Sequence, residues 1–160
     1  MFDEIDEKIL LILQNGERNS NAEIARQVGL VPSAITERIR KLEERGIIRG
    51  YGVDLDPRKV GMGLTAFVFV RSNEPVGGDS TGDRLSAIPE VQEVHHIAGE
   101  DCYMVKLRAA DTIDLRHILT DRFGAIETVT GTRTVIVLET IKETTHLPVD
   151  RSPLTEERRS

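Results

Sequence analysis

The chain has one cysteine, Cys102, so no internal disulfide can staple it, and a reducing compartment suits it. It lacks a long apolar run. It begins M-F-D-E-I-D-E-K, acidic where a signal peptide would be basic, and the apolar stretch that follows, Ile9–Leu13, is too short for export or a membrane span. These absences predict a soluble, cytoplasmic protein with no membrane partner. A basic excess is missing too: 21 Lys and Arg stand against 27 Asp and Glu, a net charge of −6, which excludes a chain that coats nucleic acid indiscriminately. No nucleophile–base constellation is present. Gly50-Tyr51-Gly52 lacks the third glycine and the strand–helix setting of a phosphate-cradling loop. His95 and His96 are adjacent on an expected strand and point to opposite faces, so they do not chelate one ion together with Cys102. The expectation is therefore no enzyme, no cofactor and no metal.

What is present is organised around Ser20–Gly46. Ser20 or Asn21 can cap a first helix whose small apolar stripe is Ala22, Ile24, Ala25 and Val28. Gly29 offers the positive φ that ends a helix, and Pro32 opens the next one at its first turn. The second helix buries Ile35, Ile39 and Leu42 and closes at Gly46. Two short helices joined by a glycine-containing turn form the helix-turn-helix pattern, which places its second helix in the major groove. Helical winding puts Ser33, Glu37, Arg40 and Glu44 outward, flanked by Thr36 and Lys41. Short side chains near the start (Ser33, Ala34, Thr36) allow close approach to base edges, and Arg38, Arg40, Lys41, Arg45 and Arg49 suit phosphates or guanine. A solvated charged face would show the same pattern. Residues 1–50 are nearly neutral at −1 and residues 51–160 carry −5, so any footprint on DNA is local and needs dimers or larger assemblies.

At 160 residues there is room for one ordinary domain or two small ones. A helix over Asp3–Asn15, capped by Asp3, presents Ile5, Ile9, Leu10, Ile12 and Leu13 and completes a three-helix core. The segment I-I-R-G-Y-G-V-D-L reads as a small wing, then a hinge. Asp56-Pro57 and Gly61-Met62-Gly63 mark the domain boundary. From Leu64 the period changes to two. Strands are expected over Leu64–Arg71, Val91–Ala98, Tyr103–Ala109 and Ile126–Thr140, the last interrupted near Gly131. Helices are expected over Asp83–Ile88 and, behind Asp111, Thr112–Phe123 with Ile113, Leu115, Ile118 and Leu119 apolar. This order, βαββαβ, is the ferredoxin-like split βαβ arrangement, whose uncovered sheet face invites a second copy. The tail from Lys142 reads as mobile or draped over a neighbour.

Order and spacing of several motifs carry a resemblance: Asp6-x-x-Ile9-Leu10, Ile24-Ala25-x-x-Val28-Gly29-Leu30, and Arg38-Ile39-x-x-Leu42-Glu43-x-x-Gly46-Ile47-Ile48. Further on come Gly50-Tyr51, Leu55-Asp56-Pro57, Pro89-x-Val91, the Gly99–Tyr103 turn and Thr132–Leu138. Over roughly residues 3–143 the chain resembles the Lrp/AsnC (leucine-responsive, feast–famine) regulators. The resemblance implies an α+β protein with an N-terminal winged helix-turn-helix domain (1–50), a hinge (51–63), a C-terminal ferredoxin-like, RAM-type βαββαβ domain (64–143) for effector binding and oligomerisation, and a polar tail (144–160). It implies a transcriptional regulator that binds double-stranded promoter DNA as a homodimer assembling further, up to an octamer, and responds to an amino acid. DNA contacts would come from Ser33, Ala34, Thr36, Glu37, Arg38, Arg40, Lys41 and Arg45. The effector would lie against Gly99, Glu100, Asp101, Cys102 and Tyr103, with Thr134, Val135 and Ile136 of the last strand. Exposed N–H groups at the glycine turn can hold a carboxylate, and Asp101 or Glu100 an ammonium. Three departures stand out: Cys102 replaces a common acid before the turn's Tyr, Val31 replaces a capping Ser, and Gly77-Gly78 shortens a helix. The alternatives are an architectural DNA protein whose second domain only oligomerises, and a small-molecule enzyme with an incidental helical hairpin.

Overall fold

A computed structural model describes residues 3–15, 19–75 and 78–149. Gly77 and the tail beyond Val149 lie outside the described residues. The chain divides into two compact units: the described residues up to Gly52 together with those from Lys142 onward, and Val53–Ile141.

The first unit holds three helices: α1 (Glu4–Gln14), α2 (Asn21–Val28) and α3 (Pro32–Glu44). Asp3 caps α1 by accepting from the N–H groups of Ile5 and Asp6, while the Asp6 side chain accepts from the Asp3 N–H. This reciprocal pair is a capping box built from two aspartates. Ser20 caps α2 through the Glu23 N–H, and Gly29, at φ 74°, ends it in the left-handed conformation. Val31 gives α3 no side-chain cap. Pro32 at the first helical position starts it instead, with no N–H to satisfy. Ile9, Leu10, Ile24, Ala25, Ile35 and Leu42 are buried at the junction of the three helices, with Ile39 and Val28 partly covered. Ala22, expected on the buried stripe of α2, is exposed: it precedes Ile24 by two residues and so lies about 200° around the helix from it.

Two further expectations change. From Arg49 to Asp56 the backbone belongs to no ladder, so the expected small wing forms no paired strand there. The tail is held to the helical unit at Leu147 and Val149. The Gln14 amide donates to the Leu147 carbonyl at 3.0 Å and accepts from the Leu147 N–H at 2.7 Å, and Val149 packs on the helical core.

The second unit runs β1 (Leu64–Ser72), α4 (Ser80–Ser86), β2 (Val91–His96), β3 (Tyr103–Ala109), α5 (Thr112–His117, continuing as a wider π-type turn over Ile118–Phe123) and β4 (Val129–Ile136). The four strands are antiparallel in the order β2-β3-β1-β4, the split βαβ arrangement. Ala66, Val68, Val70, Val105 and Leu107 point to the helix-covered face and meet Leu85, Leu115, Ile118 and Phe123. The expected helix over Asp83–Ile88 begins earlier, at Ser80. The Glu74 carboxylate, six residues upstream, accepts from the N–H groups of Ser80 and Thr81 and does the capping that Asp79 does not. β2 stops at His96, two residues short: the Ile97 N–H still reaches the Cys102 carbonyl across the hairpin, but the Cys102 N–H goes to the Val70 carbonyl on β1 instead of returning the bond. β4 is shorter than Ile126–Thr140: Ile126 is spent on the core, and past Ile136 only the Val137 N–H still reaches β1, at the Thr65 carbonyl. The interruption near Gly131 is a register shift opposite Arg71 and Ser72. Ile113, expected inside, is exposed on the outer side of α5.

Candidate functional site

On α3 the outward residues are Ser33, Thr36, Glu37, Arg40, Lys41, Glu43, Glu44 and Arg45. Thr36 is fixed twice: its hydroxyl donates to the Pro32 carbonyl at 3.1 Å and accepts from the Asn21 side chain at 3.0 Å. Asn21, at the start of α2, thus ties the two helices of the hairpin together on their exposed side. One turn on, Arg40 grips Glu37 with two bonds, Nε to Oε2 at 2.9 Å and Nη2 to Oε1 at 2.7 Å, and also pairs with Glu44. Lys41 approaches the same Glu37 carboxylate at 3.4 Å. The Arg40 guanidinium, and then Lys41, hold the Glu37 carboxyl down at about 2, so it is ionised at every physiological pH. Glu43 accepts from the Tyr51 hydroxyl at 2.8 Å, and burial together with that carboxylate pushes the phenol up to about 12.

Arg38 does not join this face. Its guanidinium reaches inward to Asp6 at 2.7 Å and Asp3 at 2.8 Å, fastening α3 to the capped start of α1. Ala34 is half-buried, and with Asp6, Glu37, Arg38, Lys41, Leu42 and Arg45 it lines an open groove of about 310 Å³ on the flank of α3. Of the eight proposed DNA contacts, six therefore stand outward. Ala34 sits at the edge, and Arg38 is turned to the fold.

In the second unit, Gly99 sits at φ 133°, a region that side chains avoid, and a Cβ there would meet nothing within 4 Å. Glu100 is exposed. Asp101 accepts from Arg133 Nη2 at 3.0 Å, and the Arg133 guanidinium lies 4.0 Å over the Phe69 ring. The turn therefore meets the last strand at Arg133. Thr134, Val135 and Ile136 pair farther along with Val68, Phe67 and Ala66, and Val135 and Ile136 are exposed. The Cys102 sulfur faces the backbone of Ser72, 3.4 Å from its N–H, so it does not stand in for an acid on the turn's surface. Tyr103 is a core residue: its ring stacks on His96 with centroids 5.0 Å apart, and Gly82 lies close beneath it. Its hydroxyl reaches Glu74 at 3.4 Å, and burial raises its pKa. Sequence reasoning missed Asn21, Glu74, Phe69 and Arg133. Only Arg133, a cation alternating with threonines on β4, left a visible signal.

No helix among the described residues is long and apolar enough to cross a membrane. Comparison with known proteins adds relatives. The family model described as winged helix-turn-helix DNA-binding matches residues 2–49, and the one described as Lrp/AsnC ligand binding domain matches residues 65–147. The HTH-type transcriptional regulator FL11 of Pyrococcus horikoshii is 40% identical over 148 residues, covering 92% of this chain and 97% of that protein. Among solved structures, a Neisseria meningitidis transcriptional regulator in complex with L-methionine superposes with a TM-score of 0.86 at 31% identity, covering 94% of this chain and 99% of that one. A feast or famine regulatory protein of M. tuberculosis, also complexed with L-methionine, superposes at 0.83 with 33% identity, covering 92% and 100%.

Proposed function

Because this chain belongs to the Lrp/AsnC family and is a helix-turn-helix transcriptional regulator, we propose that it acts without catalysis, in the cytoplasm, as a promoter-binding homo-oligomer tuned by an amino acid. The observation that carries the DNA reading is the outer face of α3, with short polar side chains at its start and Arg40, Lys41 and Arg45 beyond them. Ser33, Thr36 and Glu37 approach base edges, Ala34 allows close passage, and Arg45 and Lys41 take phosphates. Arg38 holds the helix in place rather than touching DNA. Dimers set two such helices on half-sites about one helical turn apart, and further assembly multiplies weak contacts through effective concentration.

The amino-acid reading rests on the Gly99–Asp101 turn facing Arg133, and on the L-methionine held by two relatives. A zwitterion would place its carboxylate at Arg133 and the turn's N–H groups, and its ammonium at Asp101 or Glu100, loosening the pair that now joins Asp101 to Arg133. An effector that prefers one assembly state shifts promoter occupancy by that difference in affinity.

The test is a titration of the full chain against the DNA upstream of its own gene, at two salt concentrations, with and without L-methionine and with a pool of amino acids. Salt-sensitive binding altered by one of them is the expected result. Binding indifferent to every amino acid would refute the sensor reading and leave an architectural protein. No binding at either salt would refute the DNA-reading role of α3.

A further inference from the structure

We propose that Glu37 is a specificity-determining residue of α3, accepting a hydrogen bond from the amino group of a cytosine in the major groove. The inference rests on the DNA-binding reading of α3 and adds the chemistry of one contact. Glu37 occupies the second turn of the helix, between the short residues that permit close approach and the cations that follow, and its side chain is about half exposed at 48%. A carboxylate there faces a polyanion. Near phosphate it is repelled, so the favourable place for it is the groove floor, where base amino groups are the donors available.

The choice between the two amino-bearing bases follows from valence. Adenine offers an amino group beside the N7 acceptor, an edge that suits an amide able to donate and accept together. An ionised carboxylate donates nothing, and N7 repels it. Cytosine presents its amino donor without an adjacent acceptor of its own, which suits a carboxylate. The neighbours of Glu37 fit the same assignment. Arg40 holds both carboxylate oxygens, at 2.9 and 2.7 Å, and Lys41 lies at 3.4 Å, so the acid enters the groove with its charge offset and its direction limited. Each oxygen has acceptor capacity left for a base.

The alternative is a helix-stabilising ion pair with no partner on DNA. The experiment that separates the two is enrichment of sequences from a random duplex pool by the full-length protein, its E37Q variant and its E37A variant. Titrations on the wild-type consensus and its single-base changes follow. The wild type should enrich a cytosine at one position of its site. The E37Q variant, acquiring an amide, should exchange that preference toward adenine, and E37A should lose preference there, with discrimination at that position falling about tenfold or more. Other positions of the motif should persist in both variants. If both variants enrich the wild-type motif unchanged, and differ only by a uniform gain in salt-sensitive affinity as Arg40 is released, the assignment of Glu37 is wrong and the ion pair is structural. If the wild type enriches no sequence at all, the DNA-reading role of α3 fails and the assignment with it. Enrichment by wild type with failure of the variants to shift isolates the fault to Glu37.

Discussion

Replacing Arg38 by alanine removes the fastener between α1 and α3 and leaves Asp6, a carboxylate only 11% exposed, without its cation. Breaking a fully buried pair from one side costs about 3–5 kcal/mol, and breaking an exposed pair about 0–1 kcal/mol. Arg38 is 29% exposed and Asp3 55%, so this pair lies between those limits. The Asp3 N–H still serves one Asp6 oxygen after the change. A loss of about 1–2 kcal/mol follows for the helical unit, which raises its opening equilibrium about 5- to 30-fold. Native-state hydrogen exchange by mass spectrometry, read over α1 and α3, measures this directly, while exchange in the β-unit serves as the internal control. The folded fraction should keep its DNA affinity, whereas Arg40→Ala should lower affinity and leave exchange in α1 unchanged. The pair also has a pH signature. The Asp6 backbone N–H and then Arg38 hold the Asp3 carboxyl below its ordinary 3.8, so its share of stability is present above that value and is lost as pH falls through the depressed one. Wild type and Arg38→Ala should converge in acid. Unchanged exchange in α1, with DNA affinity lost, would refute the reasoning and return Arg38 to the DNA face.

Gly29→Ala should destabilise the helical hairpin by about 1–2 kcal/mol through backbone strain at φ 74° alone, since a Cβ there meets nothing; a thermal or urea midpoint at wild-type level would refute this. Hydrogen bonds from the Ser80 and Thr81 side chains and backbone hold the Glu74 carboxyl at about 2 against an ordinary 4.5, so its contribution to the β-unit is complete above 4.5 and disappears as pH falls toward 2. Glu74→Gln should flatten that acid window, measured as α4 amide exchange against pH. Gln14→Ala removes both bonds to Leu147, and the segment 144–149 should lose protection by about 1 kcal/mol with the β-unit unaffected; wild-type protection there would refute the docking.

Much of the fold is legible because it rests on local rules. Asp3, Ser20, Gly29, Pro32 and Asp111 each act on backbone within a turn of themselves, and the structure uses each where the sequence predicts it. Period two picks out β1 and β3 to within a residue. What the sequence hides is action at a distance. Glu74 caps a helix six residues away, Gln14 clips a segment far down the chain, and Arg133 meets Asp101 across a strand, none of which has a periodic signature. The ends of β2 and β4 are hidden for the same reason, since pairing partners and register are properties of two segments rather than one.

Arg38 is the instructive exception, because its role was readable. It follows Ile35 by three residues and precedes Leu42 by four, the spacing of the buried stripe itself, so an arginine there must either break the core or find an acid at its edge. The first turn of α1 supplies two. Counting every cation of α3 as a DNA contact therefore overstates its electrostatic footprint. Once Arg38 is assigned to the fold, the outward face carries Arg40, Lys41 and Arg45 against Glu37, Glu43 and Glu44, which balance. A balanced face releases fewer counterions than a basic one, so its affinity for DNA in general is smaller, though still salt-sensitive through Lys41 and Arg45. Its contribution must come from directed contacts, so each acid on it costs attraction everywhere and gains only where a base donor meets it. That trade is what makes Glu37, rather than the arginines, the residue on which the choice of sequence turns.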